Sequence, residues 1–102
     1  MDKSYSLKDY QKLIKQLVKE RGFDKESVAE VFMLLVEEVG ELGKAIRKSS
    51  TLKVDKKSAV HDINEEAADV LWLLLDLANR LGIDLEKAFH KKEAKNIKRQ
   101  WS

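Results

Sequence analysis

The sequence predicts an all-α protein, a four-helix bundle completed by oligomerisation. Three observations carry this. The 102 residues hold no proline and only four glycines, and 37% are charged, a mix that favours helix over turn-rich β structure. Apolar residues recur at helical spacing in four segments, each with start and stop signals. One of the four is apolar on almost every side, so three companion helices can hardly cover it. The length suits a single domain over 1–102. A monomer of this size buries only about two thirds of its unfolded surface, a deficit that assembly relieves.

Ser6-x-x-Asp9 opens the first helix, whose apolar positions are Leu7, Tyr10, Leu13, Ile14, Leu17 and Val18, and Gly22 ends it. Ser27-x-x-Glu30 is a capping box for the second, which runs to about Lys48 with an apolar stripe of Val28, Phe32, Leu35, Val39, Leu42 and Ile46. Residues 49–58, "SSTLKVDKKS", lack apolar periodicity and read as a basic, mobile connection. Asp62-x-x-Glu65 starts the third helix and Leu81-Gly82 stops it. Its segment "VLWLLLDLA" carries a single charge, Asp76, expected to pair with Arg80 at i+4. Burial of this segment between subunits predicts a homodimer, or a tetramer built from dimers. Asp84 caps a fourth helix reaching about Arg99.

Several classes are set aside by composition. With no cysteine, disulfides and thiolate metal sites are excluded and a cytoplasmic setting is expected. The longest uncharged apolar runs, Val31–Val36 and Val70–Leu75, fall far short of the roughly 20 residues of a membrane span, and the N-terminus has no signal-peptide core. A net charge of +2 gives no case for nucleic acid, and the basic segments lack interleaved aromatics. Acidic residues concentrate at 37–41 and 62–69, basic ones at 44–57 and 87–99. Negatives flanked by positives suit a metal cation that holds a polyanion, although solvated helix faces also produce such blocks.

The acidic residues are best placed by angle, at about 100° per residue. In the second helix Glu38 lies roughly 60° from the centre of the apolar stripe, flanked by Val31, Leu34 and Ala45. Glu41 follows at i+3, and Glu37 stands at the polar margin. In the third, Glu66 is in line with Val70, Leu73 and Leu77, and Asp69 follows at i+3. Each helix thus presents an acidic pair beside its buried face, and antiparallel packing lets the pairs meet. A lone Glu-Glu-x-x-Glu is ordinarily a solvated face. Two pairs bordered by core residues must protonate, find basic partners or bind a cation. Lys44 and Arg47 lie toward the polar side, so a hard divalent ion answers better. All-oxygen ligands point to Mg²⁺, with Mn²⁺ as a substitute.

The stripe of the fourth helix begins as Leu85, Ala88 and Phe89, then becomes Lys92, Asn96 and Arg99. Those residues suit phosphate oxygens and a sugar hydroxyl or base edge; a basic helix end complementing its own dipole is the plainer alternative. Trp72 and Phe32 are read as core, with approach to a base as the alternative, and His61 and His90 as incidental.

Together these residues resemble the MazG-like, all-α nucleotide pyrophosphohydrolases. The signature E-E-x-x-E, spacer, E-x-x-D is matched by Glu37-Glu38-x-x-Glu41 and Glu66-x-x-Asp69, with 24 residues between, and K-x-x-x-N by Lys92 and Asn96. "EEVGELGKAI" and "EEAADVLWLLLDLANRLGIDLEKAF" also read like the family, over roughly 25–100. The resemblance implies a Mg²⁺-dependent cleavage of a nucleoside triphosphate between the α and β phosphates, giving monophosphate and pyrophosphate. Glu38, Glu41, Glu66 and Asp69 would be metal ligands, and Glu37 would bind a further ion or orient and deprotonate the attacking water. Lys92 and Asn96, with Arg99, would hold the substrate. Dimers or dimer-based tetramers are implied too. Rival readings are a phosphoribosyl-ATP pyrophosphatase, a dimeric deoxyuridine triphosphatase-type enzyme and a non-catalytic helical interaction module.

Overall fold

The computed structural model describes residues 4–51 and 56–99, with side chains over 4–50 and 62–99. Four helices follow in order: α1 (Leu7–Glu20), α2 (Val28–Thr51), α3 (Lys56–Arg80) and α4 (Leu85–Lys98). No strand occurs among the described residues.

The punctuation expected of the sequence is present. Ser6 and Asp9 exchange side-chain and backbone hydrogen bonds at the start of α1 (3.0 and 3.1 Å), as do Ser27 and Glu30 before α2 (both 3.1 Å). Gly22 and Gly82 adopt φ of +75° and +69°, which a side chain disfavours. There the N–H of Phe23 donates to the Val18 carbonyl at 2.9 Å and that of Ile83 to Ala78 at 2.8 Å, closing α1 and α3 in the same left-handed turn.

Two boundaries differ from expectation. α2 continues through Ser49 and Ser50, and α3 begins at Lys56 rather than Asp62. Much of the segment read as a connection is therefore helix, while 52–55 lies outside the described residues. Amphipathic periodicity is not required for an existing helix to propagate, and no proline or glycine stands there to stop it.

α2 and α3 form an antiparallel hairpin. The Arg80 guanidinium donates to the carbonyls of Phe23, at 2.7 Å, and Glu26, so the end of α3 meets the entry to α2. α1 packs on another face of α3, where Ile14, Val18 and Leu75 form a core edged by Leu7, Tyr10, Leu17, Trp72 and Leu85. Buried Gln11 ties three elements together. Its amide donates to Asn79 Oδ1 (3.0 Å) and the Ile83 carbonyl (2.9 Å), and its Oε1 accepts from the Leu85 N–H (2.8 Å), which fixes where α4 departs.

The predicted α2 stripe is corrected. Val28, Phe32, Val39 and Ile46 are 40–53% exposed. The more enclosed positions are Val31, Leu35, Glu38, Leu42 and Ala45, which recur at heptad-like spacing and face α3. The helix is turned by about 60° from its most apolar arc, which puts Glu38 in the contact face. Hydrophobicity alone misjudges this orientation because part of the apolar arc is left uncovered within one chain.

Candidate active site

Where the hairpin faces meet, one carboxylate oxygen each from Glu38, Glu66 and Asp69 comes within 4.8 Å of the other two. Glu38 reaches in from α2; Glu66 and Asp69 stand a turn apart on α3. Glu66 Oε2 is buried and has no hydrogen-bond partner. Its carboxyl lies against that of Glu38. This contact, then burial, then the charges of Glu38, Asp69 and Glu41, push its pKa up to about 7. Three acids this close together, one with an orphaned oxygen, are satisfied by protons or by a cation. The donor set is all oxygen, which fits a hard divalent ion.

Glu41 lies one turn beyond Glu38, exposed but close enough to raise Glu66. Glu37 is exposed at the rim. The remaining expected residues are elsewhere. α4 packs mainly on α1, none of its residues is buried, and none lines the cleft beside the acids. Lys92 and Arg99 are exposed; Asn96 is half-buried and donates to Glu93 Oε2 at 3.4 Å. The inward stripe predicted for α4 is thus corrected: Phe89 and Ile97 are 64% and 76% exposed, and one chain does not bring Lys92, Asn96 and Arg99 to the carboxylates. The hydrogen bonds of Gln11 anchor only the first turn of the helix.

A cleft of about 430 Å³ opens next to the acids, lined by Arg21, Phe23, Leu34, Glu38, Asp69, Trp72 and Leu73. Trp72 therefore serves both core and cleft, whereas Phe32 lies on the exposed apolar arc of α2. Arg21 and Phe23 were not legible as site residues. They sit on the turn after α1, and only the tertiary fold carries that turn to α3. His90 rests edge-on against Phe89, with ring centroids 6.1 Å apart, on exposed α4. The side chain of His61 lies outside the described residues.

The model of the MazG nucleotide pyrophosphohydrolase domain matches residues 26–101. The chain belongs to the MazG family. No curated protein matches it. The matched span contains the acidic pairs of α2 and α3 and the whole of α4, and it begins after the turn with Arg21 and Phe23. The four helices and the absence of strands among the described residues agree with the family, whose activity is in general that of a nucleotide pyrophosphohydrolase. No described helix is long and apolar enough to cross a membrane.

Proposed function

We propose that this MazG domain hydrolyses a nucleoside triphosphate, ribo or deoxyribo, to the monophosphate and pyrophosphate, with Mg²⁺ in the acidic cluster and Mn²⁺ as a substitute. The observation that carries this reading is the convergence of Glu38, Glu66 and Asp69 from two helices, with an unsatisfied buried oxygen among them. Glu38, Glu41, Glu66 and Asp69 would hold the ion. When bound, it supplies charge neutralisation on phosphate oxygens and a water of lowered pKa. Glu37, exposed beside Glu38, would bind a further ion or take a proton from the attacking water. No Ser or Cys stands among the acids or the lining residues of the cleft, so the reading is direct attack by water without a covalent intermediate.

Assembly belongs to the same proposal. The chain exposes 8275 Å², against about 5,900 Å² for a compact monomer of its 11.8 kDa. The excess, about 2,400 Å² per chain, lies at the upper end of what each subunit of an obligate homodimer buries. Exposed Phe32, Val36 and Val39 of α2, and Leu71 and Leu74 of α3, fall on the same side of an antiparallel hairpin, with Glu41, Asp69 and Trp72 on the other. A second copy would cover the apolar side and leave the acids open. Lys92, Asn96 and Arg99 would then reach substrate in the assembled form. The cellular role consistent with this chemistry is cytoplasmic housecleaning of the nucleotide pool.

Amide variants test the site. Glu41→Gln and Asp69→Asn should each abolish pyrophosphate release while keeping the helical circular-dichroism spectrum. Hydrolysis at the wild-type rate by both would remove the metal-site reading.

A further inference from the structure

The cleft beside the carboxylates has two chemically different ends. Glu38 and Asp69 supply the acidic end. One helical turn away, about 5.4 Å, Leu34 precedes Glu38 and Trp72 follows Asp69; because α2 and α3 run antiparallel, both steps lead the same way. That second end is walled by Leu34, Trp72, Leu73 and Phe23, and it carries one cation, Arg21. A volume of about 430 Å³ accommodates a nucleoside. The separation of the two ends is on the scale of a sugar placed between phosphate and base.

Arg21 is specifically disposed. Its guanidinium lies 6.0 Å from the centroid of the Trp72 ring, and among the described residues no carboxylate pairs with it. A guanidinium near an aromatic ring and without a carboxylate partner keeps its in-plane N–H fork for other acceptors. The fork recognises two acceptors side by side. Guanine and its deaminated relatives present such a pair as O6 and N7, and cytosine presents one as O2 and N3. Adenine sets a donor beside each acceptor on its exposed edges, and uracil puts a donor between its two.

We propose that Arg21 is a specificity-determining residue that selects nucleotides whose base carries two adjacent acceptors, a 6-oxopurine or cytosine, over adenine and uracil. This rests on the reading above that the acidic end receives the phosphates. Arg21 lies on the turn after α1, outside the span that matches the family.

The test compares GTP, CTP, ATP and UTP with Mg²⁺ for wild type, Arg21→Ala and Arg21→Lys. Wild type should favour GTP, CTP or both. Arg21→Ala should lower kcat/KM for the favoured bases about ten- to a hundredfold, through KM, and leave ATP and UTP within about twofold. Arg21→Lys should not restore the preference, since a point charge lacks the fork. Loss confined to GTP assigns the 6-oxopurine, and loss confined to CTP assigns cytosine. Equal loss on all four bases, or none, overturns the inference while the hydrolase stands. Binding of GMP, CMP, AMP and UMP, followed by tryptophan fluorescence in the same variants, separates the two readings. Selective monophosphate binding that Arg21→Ala removes, in a protein that hydrolyses no triphosphate, would keep the base selection and overturn the hydrolase.

Discussion

Glu66 concentrates the electrostatics of the site at the scale of single residues. Its pKa, raised to about 7 from an ordinary 4.5 chiefly by contact with Glu38, links protons to folding. Between these values the folded protein holds a proton that the unfolded chain has released. Stability of the metal-free protein should therefore fall as pH rises from about 4.5 to 7 and level off above. Thermal melts over that window check this, and Glu66→Gln should flatten them. A Mg²⁺ ion held as proposed would displace the Glu66 proton, so it should raise Tm more at pH 8 than at pH 6. An equal Tm shift at both would contradict the linkage. The acids were legible because an i, i+3 pair beside apolar neighbours can be read from spacing alone. Arg21 and Phe23 were not, because turn residues acquire their neighbours only from tertiary packing.

Among the elements, α3 is held at its C-terminal end by a buried ion pair, Asp76 with Arg80 at 2.9 Å, which the i+4 spacing anticipated. Arg80 also fastens the turn bearing Phe23 through two backbone carbonyls. Asp76→Asn leaves a mostly buried guanidinium without its countercharge. A loss of about 3 kcal/mol is expected, lowering Tm by roughly 12 °C or more. A change of under about 2 °C would mean that solvent screens the pair. The capping boxes and both glycine stops were legible because local hydrogen bonding decides them. The rotation of α2 was not: Val31, Leu35 and Leu42 serve the contact face, while Phe32 and Val39 are as apolar and remain exposed. For α4 the sequence marks residues suited to phosphate, but the single chain holds only its first turn in place.

The whole molecule is more open than its length predicts. Its radius of gyration is 16.5 Å, against about 13 Å for a compact domain of 100 residues. Fold class was legible because periodicity and composition agree along the entire chain. A need for further cover was legible in the all-round apolar segment of α3, but what would supply that cover leaves no pattern in one sequence. Val39→Lys places a charge in the exposed apolar arc and should reduce the mass measured by analytical ultracentrifugation from dimer or tetramer toward monomer. Unchanged mass would assign assembly to another surface. The chemistry itself is decided by products. Chromatography of a Mg²⁺-containing reaction with a panel of nucleoside triphosphates should show monophosphate and pyrophosphate appearing together, and neither forming in EDTA. Diphosphate with orthophosphate, or turnover that persists in EDTA, would contradict metal-assisted cleavage between the α and β phosphates.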